Sequence, residues 1–361
     1  MTGTASTPAL FVVPQAREPS GGHTYDRRIA DALGEGAPDA PHSAARSVRT
    51  VTVPGVWPRP GPIGTNALSA VLAGAPDGAC VLVDGLVACG VPEVVVPHAG
   101  RLRLHVLVHL PLADESGLSM REARDLDARE RAVLRCGVAV VATSAWAARR
   151  LAAHHGLAEA GVPVEVVRPG VDTAPLARGS GFEEGAGRVP RLVCVASLTP
   201  RKGHDLLLRA LGSLVELPWE CVCAGPGSPP PLASALAGRV RFTGPVVGAE
   251  LEAAYASADL LVLASRAETY GMVVTEALAR GVPVVATEVG GVPEALGRAP
   301  DGRVPGLLVP SRDAAALERA LRDWLTDANL RASLRDAARV RRTALAGWPE
   351  AAREMARVLG L

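Results

Sequence analysis

Short, mostly apolar strands alternate with helices along this chain. The alternation runs once, breaks, and runs again. In the first run, residues 9–13, 48–53, 80–83, 104–108, 138–142 and 164–167 read as strands. In the second, 191–196, 220–224, 240–243, 260–264, 282–286 and 306–309 do. A strand without polar alternation has no solvent face and must be covered on both sides, which is the situation of a parallel sheet between helix layers. The break at 178–190, RGSGFEEGAGRVP, has the composition of a linker. A chain of 361 residues exceeds one compact core, and 48% apolar residues suffice for two. The pattern therefore predicts an α/β chain of two doubly wound, Rossmann-like domains, with parallel sheets whose rims face across a cleft.

Such sheets bind ligands beyond the carboxyl ends of their strands. The unusual residues fall there: Gly21-Gly22, Asp84, His109, Ser144, the loop from Ser197 to Lys202, Gly225, Glu268 and Gly290-Gly291. The densest stretch is 265–296, SRAETYGMVVTEALARGVPVVATEVGGVPEAL. It reads as strand end, loop, helix start near Gly271 or Met272, strand and loop. Backbone amides at a helix start favour an anion, and glycine lets backbone approach closely. Glu276, early in that helix, suits a ribose diol, and Glu268 suits sugar hydroxyls; either alone reads more readily as a surface acid. Lys202 is the single lysine among 38 basic residues. In the Pro200-Arg201-Lys202-Gly203 loop it can meet a phosphate as a mobile point charge, with Arg201 offering a fork beside it; the alternative is a solvated basic pair. Asp205 reads as the N-cap of a helix over 206–215. His109 follows an apolar strand, where a core histidine with a satisfied partner is the alternative to a functional one. A helix is expected over 24–33 after the glycine pair, and loops over 34–47 and 56–64.

Several function classes are disfavoured. A net charge of +1 gives no electrostatic case for nucleic acid or an anionic membrane. No apolar run reaches the ~18 residues of a membrane span, although peripheral contact stays open. The amino-terminal MTGTASTPAL lacks a basic flank and a long apolar stretch, so no signal peptide and a cytoplasmic location are expected. The six cysteines sit in or beside apolar strands and read as buried thiols. No C-x2-C, H-E-x-x-H or carboxylate cluster suggests a metal. No G-x-S-x-G elbow is present, and no G-x-G-x-x-G follows the first strand, which argues against a nicotinamide cofactor.

At these residues the chain resembles the retaining glycosyltransferases of the GT-B fold, glycosyltransferase family 4. The resemblance is carried by Glu268-Thr-Tyr-Gly-Met-Val-Val-Thr-Glu276, Gly281-Val-Pro-Val, Gly290-Gly-Val-Pro-Glu294, Val166-Val-Arg-Pro-Gly-Val-Asp172 and Pro200-Arg-Lys-Gly203. Val140-Val-Ala-Thr-Ser144, Arg241-Phe-Thr-Gly244 and Ala258-Asp259 also fit. It implies an acceptor-binding domain over 1–175, a donor-binding domain over 176–345, and a last helix, 346–361, that begins at Trp348 and crosses back to the first domain. It implies transfer of a sugar from a nucleotide-diphosphate sugar to a hydroxyl acceptor with retention, without metal or cofactor, the nucleotide sugar being a substrate. Lys202 is implied at the diphosphate, Glu276 at the ribose, Glu268 at the donor sugar, and Gly271 and Met272 as amide donors. Gly22 is implied at the phosphate, His109 near the donor sugar and reaction centre, and backbone near Gly225 and Gly244 at the base. One departure is visible. The family reads Gly-Arg-Leu where this chain reads Ala196-Ser197-Leu198, so Ser197 replaces a cation, Lys202 carries more of the charge, and Arg201 is a substitute. A phosphorylase or nucleotide-sugar epimerase of the same fold, or a non-catalytic nucleotide-sugar binder, are the alternatives.

Overall fold

A computed structural model of the chain describes residues 8–15, 20–34, 48–182 and 188–361. Of the loop expected over 34–47, Gly34 is helical and residues 35–47 lie outside the described residues, as does the middle of the expected linker. The chain divides into two compact units, Met1–Gly170 with Gly347–Leu361, and Val171–Ala346.

In the first unit the order is β1 (Ala9–Pro14), α1 (Gly21–Gly34), β2 (Val48–Val53), α2 (Gly61–Gly74), β3 (Cys80–Asp84), α3 (Gly85–Ala88), α4 (Pro92–Val95), β4 (Arg103–Val108), α5 (Met120–Leu134), β5 (Ala139–Ala142), α6 (Ala145–His155) and β6 (Val164–Val166). Its sheet has six strands in the order β2-β1-β3-β4-β5-β6, all pairs parallel. The order reverses between β1 and β3, which are paired neighbours, so this is the crevice where such a sheet takes ligand. Helix α1 begins at the glycine pair itself, three residues before its expected start. Helix α5 starts with a capping box: Ser119 accepts from the Glu122 amide, and Glu122 accepts from the Ser119 amide.

The second unit runs β7 (Arg191–Val195), α7 (His204–Gly212), β8 (Glu220–Ala224), β9 (Val240–Gly244), α8 (Ala249–Ala256), β10 (Leu260–Leu263), α9 (Met272–Ala279), β11 (Val284–Thr287), α10 (Val292–Leu296), β12 (Gly306–Val309), α11 (Ala314–Thr326) and α12 (Ala328–Arg341). Its six strands lie in the order β12-β11-β10-β7-β8-β9, again all parallel. Here the reversal falls between β7 and β10. Consecutive strand residues feed opposite cores. Leu192, Cys194, Leu260, Val262 and Val285 belong to one buried cluster, and Val193, Leu261, Leu263, Val284 and Ala286 to the other. That is the two-residue period of a strand expressed in a sheet with no wet face. Each fully buried Leu or Val contributes about 1.5–3 kcal/mol of transfer free energy, so one Asp at Val262 would spoil a whole layer.

Several local expectations need correction. The loop expected over 56–64 gives way to α2 from Gly61 onward. The strand placed at 282–286 is paired over Val284–Thr287, because Pro283 lacks the N–H a ladder needs. The Gly290-Gly291 turn leads into α10, a short helix not foreseen. Asp205 does not cap its helix. The N-cap of α7 is Gly203, in left-handed conformation, and Asp205 lies in the first turn with its carboxylate turned to Arg266.

After the second unit, α13 (Trp348–Leu359) completes the first. Its buried Trp348, Ala351, Ala352, Met355 and Leu359 form one helical face, and that face packs on α1. No helix among the described residues is long and apolar enough to cross a membrane.

Candidate functional site

Lys202 and Glu268 leave the carboxyl ends of β7 and β10, the two strands that flank the reversal in the second sheet. They meet there. Lys202 Nζ donates to Glu268 Oε1 at 2.5 Å, and the side chains are only 16% and 7% exposed. Ser265 Oγ donates to the same oxygen at 2.7 Å, and the Thr287 hydroxyl holds the Ser265 carbonyl at 2.5 Å. Glu268 is thus a buried carboxylate with two donors, which is what burial of a charge requires. An ammonium carries three donors. Only the bond to Glu268 is made by Lys202 Nζ among the described residues, so it retains capacity for an incoming anion.

The loop that carries Lys202 is braced from β10. Arg266 donates to the Pro200 carbonyl at 2.6 Å and forks onto Asp205 at 2.8 and 2.7 Å, while its amide donates to the Arg201 carbonyl at 2.7 Å. The close approach of this turn to the strand end demands glycine next: a Cβ on Gly203 would lie 2.0 Å from the Ala264 carbonyl oxygen. Arg201 turns its guanidinium to the Ala267 carbonyl, 3.4 Å away. The cation suggested as a substitute at Ser197 therefore contacts the β10 loop.

The glycine pair closes the other side of Glu268. The Gly291 amide donates to the Glu268 carbonyl at 3.2 Å. Gly290 sits at φ +55°, where a Cβ would come within 1.6 Å of that carbonyl oxygen. No side chain fits, so the pair is a docking surface for the Glu268 loop as well as a turn.

Glu276 is held apart from the lysine pair by its own partner. Its Oε2 accepts from the Tyr255 hydroxyl of α8 at 2.6 Å. Burial pushes this carboxyl above its usual range, with the Tyr255 bond pulling the other way. Arg280 lies over the Tyr255 ring, 4.8 Å from its centroid, and pairs with Glu252 at 2.5 Å. Gly271 is the N-cap of α9 and supplies no side-chain cap; the Val274 amide donates to the Gly271 carbonyl at 2.9 Å, and the Met272 and Val273 amides have no intrahelical acceptor. Gly244 ends β9, and its carbonyl accepts from the Gly225 amide at 2.9 Å.

In the first unit, Gly22, Asp26, Asp84 and His109 come together at the reversal between β1 and β3. His109 Nε2 lies 2.7 Å from Asp26 Oδ1 and 3.6 Å from Asp84 Oδ2. A Cβ on Gly22 would stand 3.2 Å from the His109 ring. Tyr25 meets that ring edge-on at 5.1 Å. Its hydroxyl donates to the Val167 carbonyl at 3.0 Å, and Trp348 of α13 backs it at 5.8 Å. Burial raises Asp26 to about 7 and Asp84 well above the carboxylate range, the latter also through the neighbouring Asp26 charge. Burial lowers His109, Asp84 opposing. His109 is thus the partnered histidine of the bland reading and, at the same time, a rim residue.

Ligand atoms of Asp26, Asp84 and His109 lie within 4.8 Å of one another, as do those of Asp127, His154 and His155. In each group a histidine bonds directly to a carboxylate, Asp26–His109 and Asp127–His154, in the place an ion would take. The cysteines are all free thiols. Cys221 and Cys223 do share a face, with sulfurs 4.0 Å apart.

Sequence reasoning passed over Asp26, Arg266 and Tyr255. Asp26 was findable: it sits one helical turn after Gly22, a charge on a face otherwise occupied by Tyr25, Ile29 and Leu33. Arg266 and Tyr255 act through contacts made across 61 and 21 positions, and nothing local marks them.

Residues 189–327 match the family model described as Glycosyl transferases group 1. The backbone is similar to that of sucrose-phosphate synthase from Thermosynechococcus elongatus, with a TM-score of 0.72 at 20% identity over 97% of this chain and 98% of that one. The chain has the GT-B fold. Among curated relatives, D-inositol 3-phosphate glycosyltransferase of Salinispora arenicola is 36% identical over 204 residues, 49% of this chain and 45% of the relative. The GDP-mannose-dependent alpha-(1-6)-phosphatidylinositol monomannoside mannosyltransferase of Mycolicibacterium smegmatis is 36% identical over 185 residues, 45% of this chain and 47% of the relative. The match to these two relatives thus spans under half of their length.

Proposed function

We propose that this chain is a glycosyltransferase that moves a sugar from a nucleoside-diphosphate sugar to an acceptor hydroxyl. The observation that carries the reading is the Lys202–Glu268 pair at the reversal of the second sheet, inside the segment that matches the glycosyltransferase family. A cation and a sugar-reading carboxylate at that position suit the two halves of such a donor. In this reading Lys202 binds the diphosphate, with Arg201 and the amides at Gly271 and Met272 adding donors. Glu268 takes hydroxyls of the donor sugar, Glu276 the ribose diol, and the Gly244 region the base. On the first unit Gly22 approaches phosphate and His109 takes a substrate hydroxyl.

The reaction is retaining and metal-independent. As the bond from the anomeric carbon to the phosphate oxygen breaks, negative charge grows on the leaving phosphate, where Lys202 and the α9 amides stabilise it. The acceptor oxygen forms its bond on the same face and gives its proton to the departing phosphate oxygen. No side-chain nucleophile is invoked. The enzyme is cytoplasmic.

The test is a thermal-shift screen with UDP, GDP, ADP and dTDP sugars, followed by transfer assays with Lys202→Ala. Stabilisation by at least one nucleotide, and loss of transfer in the variant, are expected. No stabilisation by any of them, or an unaffected rate in the variant, would overturn the reading.

A further inference from the structure

The first unit buries two carboxylates, Asp26 and Asp84, each 3% exposed. The one basic side chain that meets them among the described residues is His109. Two adjacent carboxylates in a dry site do not both ionise; the pair keeps a proton. Its location follows from the contacts. Asp84 Oδ1 accepts from the Leu86 amide at 2.6 Å, and its other oxygen lies 3.6 Å from His109 Nε2. Asp26 gives Oδ1 to His109 at 2.7 Å, and Oδ2 has no donor unless Asp84 brings one. Burial raises both carboxyls, and the hydrogen bond between them lowers Asp26 and raises Asp84. The proton therefore belongs to Asp84, and Asp26 is the anion between two donors. Tyr25, tied by its hydroxyl to Val167, fixes the plane of the imidazole from the side. His109 Nδ1 makes no hydrogen bond among the described residues, and the side chain keeps 17% of its surface exposed.

We propose that Asp26 is a positioning residue that fixes His109 as the Nε2–H tautomer, so that Nδ1 is presented as a hydrogen-bond acceptor for a substrate hydroxyl. The inference rests on the glycosyltransferase reading for what Nδ1 meets, but the tautomer itself does not. A hydroxyl that donates to Nδ1 leaves its own oxygen richer in electron density and oriented by a ring that cannot turn. An imidazole with the opposite tautomer would offer N–H there and reject the same hydroxyl.

The test is 15N NMR of the full-length chain labelled at histidine, with His109 assigned through His109→Gln, at pH 8. Wild-type protein shows Nε2 protonated and Nδ1 bare. Asp26→Asn keeps shape but replaces an obligate acceptor by a group that can donate, and His109 moves to the Nδ1–H form. In transfer assays that variant loses about 100-fold or more in kcat, as tautomer loss does in a serine-protease triad, with donor KM changed less than about threefold. Asp84→Asn still donates to Asp26 and keeps Nε2–H. A wild-type His109 with Nδ1 protonated, an Asp26→Asn protein that stays Nε2–H, or an Asp84→Asn protein that loses it overturns the proposal. If Asp26→Asn fails to fold, the wild-type spectrum alone decides. Absence of nucleotide binding would sink the glycosyltransferase reading and leave the spectrum untouched, so the two failures are distinct.

Discussion

Replacing Lys202 with alanine strands Glu268. The carboxylate is 7% exposed and keeps one donor, the Ser265 hydroxyl at 2.7 Å. Removing one member of a buried ion pair costs about 3–5 kcal/mol. The Ser265 hydroxyl remains as a donor, so the low end of that range, about 3 kcal/mol, is expected. Adding Glu268→Gln removes the orphaned charge while Ser265 still finds an acceptor, and about 2 kcal/mol should return. Transfer behaves differently. The lost cation costs about 10²–10³ in kcat, and the glutamine restores none of it. The assay pairs denaturant unfolding with a transfer rate on four proteins: wild type, each single variant and the double. Trp219 and Trp324, both fully buried in the second unit, report its unfolding. A double variant as unstable as Lys202→Ala alone would refute the ion-pair account of the fold. A double variant that regains transfer would refute the role of Lys202 in catalysis.

Gly290→Ala forces a Cβ into the Glu268 carbonyl at a positive φ; a loss of about 1–3 kcal/mol is expected, read as a lower Tm with weaker nucleotide binding. Arg266→Ala frees the Pro200–Lys202 turn, and since Asp205 is 56% exposed the stability change should stay within about 1 kcal/mol while calorimetric nucleotide affinity falls about tenfold. Tyr255→Phe removes the bond that restrains Glu276, so its carboxyl rises further and nucleotide affinity is lost at a higher pH on acidification; a Kd–pH profile that does not move would contradict this. Asp26 is raised to about 7 by burial. Its ionisation therefore opposes folding above that pH, and the opposition vanishes below the ordinary carboxylate range. Asp26→Asn should then raise Tm at pH 8 more than at pH 4, and equal shifts would count against the assignment.

The architecture was legible because parallel strands advertise themselves. Runs such as Leu260–Leu263 carry no polar residue, and only a sheet covered on both faces accepts them. The rim positions followed, since strand ends are where Gly, Asp and Glu interrupt such runs. What stayed hidden is what each rim residue touches. The same Glu268 could have been a solvated acid; that it accepts from Lys202 and Ser265 depends on a strand order in which β7 and β10 are neighbours. Strand order is set by crossovers, and composition does not encode it locally. Asp205 misled for a related reason. A helix-start aspartate looks like a cap, but Arg266, 61 positions away, competes for its carboxylate and wins with two charged bonds.

The first unit leaves its own sequence at Gly170 and resumes at Gly347. During synthesis, then, a ribosome that has released 346 residues has made everything the second unit needs, while α1 of the first still lacks the α13 helix that packs on it. Tyr25 lacks its Trp348 backing at that stage, and it is Tyr25 that steadies His109. A chain interrupted after residue 346 thus owns every rim residue named above, yet holds its histidine loosely and exposes a sticky groove to chaperones and proteases. Assembly order here acts as quality control: the first rim is finished last.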